Sequence, residues 1–437
     1  MGPQRRRRRA SRPISKGLNG VWGLRPLLPR QPRGAGRSFA SPDARFKKWA
    51  LACAAGLAFS LLLGPAARAG DVRRDSIFIR PLLMGDAYVA VGDEASTLFY
   101  NPAGLARVKG NSVEAFTPQV IFNDLVKDYI ASPDAVAKRY QNLTPSQFQS
   151  LLGTTLFLDV NLRMPVFVRE SGWAIGTTVE ALADVQVLHN PILPGLHIEL
   201  FTDDTAFFSL AGHWGDALAV GITPKVITRV GLDRTFTFGE LYASGSTLDL
   251  QNQPDFKKVS KGTTYTSGGV DLGTILELPF WENGHPRVGF AALNIGGYDS
   301  HVGFKGIQFG NRPTPFDPPI GGELPQLNTV GIAVSPTYSG IRYTFALDVV
   351  DVTQTVLPGS DLALRTRVGL EVGIGLHKDG TPLFSVLAGA NANHPALGVL
   401  ARVWIFECGF GHYIVEQGPT PGSDPDGRTV FIFGFRI

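Results

Sequence analysis

MGDAYVAVGDEASTLFYNPAGLARVKG, Met84 to Gly110, follows an apolar lead-in of Pro81, Leu82 and Leu83. Gly85 and Asp86 stand at its front, an acidic pair at Asp93 and Glu94 in its middle, and Asn101-Pro102-Ala103-Gly104 near its end. Asn at a turn bonds its own backbone, Pro102 fixes φ, and Gly104 tolerates positive φ. The stretch is not amphipathic, so it reads as a compact, rigid plug of turns.

The string GDAYVAVGDEASTLFYNPAGLA, Gly85 to Ala106, resembles the N-terminal segment of outer-membrane barrels related to the long-chain fatty acid transporter FadL. That group takes in PorV-like secretion proteins and barrels labelled TraF-like, after conjugal transfer. In those barrels the segment is a hatch inside the lumen. The resemblance implies a hatch here carrying Gly85, Asp86, Asp93, Glu94, Asn101, Pro102, Ala103 and Gly104, and it needs a barrel in the rest of the chain.

With 437 residues, 44% of them hydrophobic, the chain has room for two soluble domains or one large barrel, and composition does not choose. Its 51 glycines and 31 prolines are dispersed as punctuation, which suits many short strands joined by turns. The formal charge of +4 and pI near 9 come mostly from Arg5 to Arg9 and the arginines that follow. They precede an apolar run, Trp49 to Gly64, that ends in Ala67-Arg68-Ala69. Residues 1–69 therefore read as a cleaved signal peptide with a long basic n-region, its true start falling as far downstream as Ser41 to Lys48. Nucleic acid is not needed to explain the charge. The apolar run, at about 16 residues, is short of the roughly 20 that a spanning helix requires. Cys53 lies inside the signal and Cys408 is alone after it, which excludes an intrachain disulfide and a Cys-x-x-Cys redox motif.

Beyond the signal, the longest stretch free of Asp, Glu, Lys and Arg is Gly380 to Ala401, but Asn391-Ala392-Asn393-His394-Pro395 breaks its centre. It reads as a hairpin of two strands. An exported chain with no helical span enters a membrane as a closed barrel, which satisfies every backbone hydrogen bond in lipid.

Period-2 alternation supports the barrel. In Arg365 to Leu376, Thr366, Val368, Leu370, Val372, Ile374 and Leu376 share one face, while charges and glycines share the other. Ile341 to Val349 and Leu156 to Val166 repeat the pattern. The apolar face suits lipid and the polar face a lumen. Strands are expected near 112–122, 154–168, 173–188, 204–213, 217–230, 264–279, 286–295, 327–336, 341–351, 365–377, 381–391, 396–404, 406–416 and 428–437. Long and tight connections mostly alternate between them, as in outer-membrane barrels, and an even strand number puts both ends in the periplasm. The expected fold is all-β, a transmembrane antiparallel barrel of about 14 strands with an N-terminal hatch in its lumen. The chain divides into a signal at 1–69, a hatch at 70–111 and a barrel at 112–437. A Gram-negative outer membrane is the expected location.

The last strand places Thr429, Phe431, Phe433, Phe435 and Ile437 on one face. It resembles the C-terminal signal read by the barrel assembly machinery, with Ile437 where that signal has an aromatic. In the first external loop, Ser132-Pro133-Asp134 and Thr144-Pro145-Ser146-Gln147 offer two helix starts, so a short helical pair is expected there. The resemblance implies that Phe148, Leu151 and Leu152 form an apolar access groove; packing of the loop onto the rim is the other reading.

No hydrolase, zinc-protease or phosphate-loop motif is present, and the eight histidines are scattered. Asp424 to Gly427 reads as a turn and not a calcium loop. No catalytic residue, metal or cofactor is expected. The inward face carries Asp159, Arg163, Lys225, Arg229, Asp271, Glu277, Arg287, Arg342, Asp348, Arg365, Arg367, Glu371, Arg402 and Arg436, a basic excess that Asp93 and Glu94 of the hatch would meet. Two functions follow: passive transport of hydrophobic or amphipathic small molecules, with membrane lipid around the barrel, or a non-transporting platform for secretion-system proteins.

Overall fold

The computed structural model describes residues 78–132, 144, 146, 148, 151–188, 195–215, 217–242, 265–295, 326–354, 362–377, 380–416 and 425–437. They belong to one compact unit, Leu61–Ile437. The expected signal at 1–69 lies outside the described residues.

Fourteen antiparallel strands close on themselves. They are β1 (Ser112–Asn123), β2 (Thr155–Arg169), β3 (Trp173–Val187), β4 (Gly195–Trp214), β5 (Leu218–Thr237), β6 (Tyr265–Glu277), β7 (Arg287–Leu293), β8 (Leu327–Val334), β10 (Ile341–Val349), β11 (Thr366–Leu376), β12 (Pro382–Asn391), β13 (His394–Val403), β14 (Phe406–Glu416) and β15 (Pro425–Arg436). A two-residue β9 (Thr337–Tyr338) only extends the hairpin into β10. β15 pairs with β1, and Ile437 completes that junction by exchanging both backbone hydrogen bonds with Val113, at 2.7 and 2.9 Å. Among the described strands no sheet edge is left open, which is the condition for strands in lipid.

The two faces differ in solvent. Phe208, Leu210, Ile222, Phe290, Ile332, Val399, Phe410, Phe431 and Phe433 point outward and are exposed. On the tight-turn end, Trp214, Phe280 and Trp404 form the most exposed aromatic group, as an interfacial girdle requires. The inward face carries buried charge: Asp159, Arg163, Arg229, Asp271, Arg287, Asp348, Arg367 and Glu371 are each at most 3% exposed. Among the described residues no helix is long and apolar enough to cross a membrane.

Three expectations change. β4 and β5 are 20 residues each and start or end well beyond the alternating cores at 204–213 and 217–230. A tilted strand crosses the hydrocarbon in about 9–11 residues, so their outer halves stand above the membrane. There Thr202 and Asp204 interrupt the outward apolar face before Leu200, Ile198 and Leu196 resume it, and pairing to β3 continues unbroken. Second, the helix of the first external loop is α2 (Asp124–Ala131), and Ser132 is its C-cap. Asn123 supplies the N-cap, its side chain accepting from Val126 N at 3.3 Å. Pro133 and Asp134 lie outside the described residues, as do Pro145 and Gln147 of the second helix start. Third, Pro425–Gly427 is not a turn but the beginning of β15, paired with Glu416, Val415 and Ile414. The external link between β12 and β13 is tight because Ala392 and Asn393 both take positive φ, 50° and 70°, the geometry of a two-residue hairpin.

Candidate functional site: the hatch in the lumen

The segment from Phe78 to Gly110 fills the lumen without joining the sheet. It opens with a one-turn helix α1 (Ile79–Leu83), followed by two 3-10 helices, Ala95–Phe99 and Pro102–Arg107. Leu83, Met84, Ala87, Tyr88, Val89, Ala90, Val91, Tyr100 and Leu105 are fully buried. A segment this short has no core of its own; its apolar residues are covered by the barrel wall. Within it, Phe78 packs on Phe99, and Phe99 packs edge-on against Phe207 of β4.

Local chemistry sets the turns. The Asn101 side chain accepts from Ala103 N at 3.1 Å while Pro102 fills the first position of the second 3-10 helix. The Asn101 amide nitrogen then donates to Val89 O at 2.8 Å within the hatch and to Thr274 O at 3.1 Å on β6. One buried side chain thus closes its own turn and ties the hatch to the wall. Gly85 and Asp86 both take positive φ, and the Asp86 carboxylate accepts from the Tyr100 hydroxyl at 2.8 Å. Ala103 and Gly104 are packed against the wall and against Thr97.

Wall glycines make the docking possible. A Cβ on Gly289 of β7 would stand 2.5 Å from Val89 O, and one on Gly369 of β11 2.6 Å from Met84 O. Gly221 of β5, Gly273 of β6 and Gly389 of β12 face the hatch backbone or Asn101 just as closely, and Gly398 and Gly411 receive the Leu83 side chain. Only hydrogen fits at these positions, so backbone lies directly on backbone.

Charge completes the attachment. Arg80, 1% exposed, donates from Nε and Nη2 to the two oxygens of Glu371 on β11, at 3.1 and 2.6 Å. Its Nη1 donates to Asp93 at 2.6 Å and to the Tyr88 hydroxyl at 2.7 Å. Asp93 also lies 3.1 Å from Arg342 of β10. Glu94 lies 2.7 Å from Arg402 of β13. Burial works against the Asp93 charge, yet Arg80 and Arg342 hold the carboxyl well below the usual carboxylate range. For Glu94 burial is likewise opposed by Arg402 and Arg80, and the balance brings it to about 2. Asp348 of β10 accepts from the backbone of Tyr88 and Val89 at 2.7 and 2.8 Å. Arg287 of β7 donates to Val91 O at 3.1 Å, and Arg107 pairs with Glu277 of β6.

Other inward charges sit away from the hatch. Lys225 pairs with Asp271 at 2.9 Å, and Arg229 pairs with Asp203 while stacking on Phe201 at 4.6 Å. Arg365 donates to Asp351 O and Arg367 to Leu364 O, both near the outer rim. Arg163, by contrast, touches the hatch: it pairs with Glu114 of β1 and lies over the Phe78 ring at 4.3 Å.

Sequence reasoning passed over Arg80, which sits just before the quoted lead-in, and the buried acids Glu114, Glu180, Asp184, Asp203 and Glu407. A lone Arg directly ahead of an apolar triplet was the available signal for Arg80. With these acids included, the lumen loses the basic excess that alternation had suggested. The free cysteine Cys408 is on the exposed side of β14.

Phe148 and Leu151 are 1% and 3% exposed, packed with Val187, Leu196, Ile198, Leu232, Phe236 and Leu241, with Leu152 at the edge. Leu196 and Ile198 share the strand face of Phe208 and Leu210, so this cluster covers the outward side of the β3–β5 extension. It does not line the lumen. A short helix α3 (Phe238–Leu241) closes it, started by a capping box between Thr237 and Glu240.

No family model and no curated protein matches the chain. Solved structures do. The CymD monoaromatic hydrocarbon channel is 12% identical, covering 84% of this chain and 98% of its own, at a TM-score of 0.44. The Ralstonia pickettii toluene transporter TbuX is 11% identical over 83% and 98%, at 0.42. A Pseudomonas aeruginosa FadL homologue is 10% identical over 85% and 99%, at 0.36. The chain is similar to FadL-family hydrocarbon transporters.

Proposed function

We propose that this protein is an outer-membrane barrel, delivered by a cleaved signal at 1–69, that passively transports hydrophobic or amphipathic small molecules past its hatch. The observation that carries the reading is the hatch itself: a lumen-filling segment that takes no part in the sheet and is held by side-chain charge pairs and glycine seats. A plug attached in this way leaves the barrel intact when its contacts rearrange. The lumen above it pairs charge with aromatic surface, Arg229 on Phe201 and Arg428 at 3.4 Å over Phe157, which suits cargo with an apolar body and a polar end.

The platform reading predicts a broad exposed apolar patch outside the lipid belt. Among the described residues the apolar cluster of the outer extension is instead covered by Phe148, Leu151 and α3. Transport is tested by extracting purified protein and analysing its bound lipids by mass spectrometry, alongside uptake by a deletion strain. Co-purifying apolar molecules and an uptake defect are expected; absence of both overturns transport.

A further inference from the structure

The hatch is not attached evenly around the wall. Its glycine seats fall on β5, β6, β7, β11, β12, β13 and β14, where wall backbone touches hatch atoms. β1 and β2 contain no glycine at all. Their buried inward residues are the polar Glu114, Thr117, Gln119, Asn161 and Arg163 beside the apolar Ile121, Phe157, Val166 and Val168. Contact on this arc is between side chains, which can rotate, whereas a backbone seated on glycine separates only if the hatch itself moves.

A cavity borders this arc, reaching from β1 and β2 round to β14 and β13. It holds about 10 Å³ of free space, room for roughly one water, between the hatch residues Arg80 and Glu94 and the wall residues Glu114, Arg163, Arg402 and Glu407. Glu114, Arg402 and Glu407 stand within a few residues of the tight-turn ends of their strands, so the cavity is on the periplasmic side. Arg163 uses one nitrogen on Glu114 at 3.1 Å and leaves Nε and Nη2 without hydrogen-bond partners in the protein. Arg402 reaches Glu94 at 2.7 Å and Glu407 at 3.5 Å and leaves Nη1 unpartnered. Both arginines are more than nine-tenths buried, at 3% and 6% exposure. Unspent donors beside a small polar space mark a seam whose side chains have alternative partners, unlike the fully occupied Arg80.

We propose that the route past the hatch runs along the wall from β15 through β1 to β2, with Arg163 of β2 and, at its β13 border, Arg402 as its gate, and that it opens by side-chain rotation while the hatch stays on its glycine seats. The inference rests on the transport reading above and adds where passage occurs. Arg163 swings off Phe78 and Glu114, Arg402 swings off Glu94, and the cavity lengthens into a passage between hatch and wall.

The test uses the full-length protein in a Cys53→Ser, Cys408→Ser background, with two readouts: KCl conductance in planar bilayers and uptake of N-phenyl-1-naphthylamine. Folding of each variant is checked by heat-dependent gel mobility. Arg163→Ala with Arg402→Ala is expected to raise conductance at least tenfold. Leu83→Cys with Gly411→Cys places a disulfide in the space of the Leu83 side chain and pins the hatch to its seat; conductance and uptake are expected to stay within twofold. Phe78→Cys with Arg163→Cys is expected to conduct when reduced and to close when bridged by a short bis-thiosulfonate, and this pair carries the test if the double alanine does not fold. Unchanged conductance in the opened seam, or loss of uptake on pinning Leu83 to Gly411, overturns the proposal. If conductance follows the seam variants while the naphthylamine is never taken up, the seam stands and the transport reading falls.

Discussion

Arg80 and Glu371 are 291 positions apart in sequence, yet the guanidinium meets both carboxylate oxygens, at 3.1 and 2.6 Å, with both side chains buried. This two-point contact fixes the angle of the hatch helix against β11 as well as its position. Because Asp93 shares the same guanidinium, removing Arg80 leaves two buried carboxylates facing each other. Arg80→Met is expected to cost about 3–5 kcal/mol, read as a lower midpoint in heat-dependent gel mobility. Adding Glu371→Gln should recover part of the loss.

Charge reversal in the acidic pair is the complementary experiment. Asp93→Lys with Glu94→Lys sets two new cations against Arg80, Arg342 and Arg402. Lower thermal stability and increased small-solute leakage are both expected. Should neither change, the ionic attachment of the hatch is refuted.

Glycine seats make a sharper prediction, since the added group is a single methyl. Gly289→Ala and Gly369→Ala push a Cβ into hatch backbone that has no room to retreat, at a cost of about 1–3 kcal/mol each. Gly212→Ala, with nothing within 4 Å of the new Cβ, is the control and should be neutral within about 0.5 kcal/mol. Equal effects at all three positions would show that the strands, and not the hatch, feel the substitution.

Hatch stability should depend on pH with a definite sign. Asp93 and Glu94 have folded values below those of free carboxylates, Glu94 near 2. Their contribution is fully present above about pH 4.3, the ordinary glutamate value, and is lost as pH falls toward and below 2. Conductance measured from pH 7 to pH 2 is expected to stay low until about pH 4 and then rise. Glu94→Gln should conduct more than wild type at neutral pH, with the difference shrinking as the medium becomes acidic.

On the outer extension, Thr237→Ala removes the side-chain half of the capping box on α3. A loss of about 1 kcal/mol in local stability is expected, visible as faster amide exchange in 237–242. Phe148→Ala removes the ring that contacts Phe238 and Tyr242 and should expose the Leu196–Ile198 surface to protease. Unchanged proteolysis would mean that the loop residue is not the cover.

The sequence by itself determined the wall. Lipid outside and a polar lumen inside impose a two-residue alternation, so the strands from 112 to 437 could be read locally, as could the turn chemistry of Asn101-Pro102 and the place of the acidic pair. It failed where that pressure lapses. Above the membrane Thr202 and Asp204 break the outward apolar run of β4, and there the side that Phe148 and Leu151 cover was settled only by strand pairing to β3. The tertiary structure alone decided the partners: Arg80 with Glu371, Asn101 with Thr274, and wall glycines with hatch backbone. Each joins positions far apart in the chain, and what selects them is the fit of one plug in one closed lumen, a property no local pattern records.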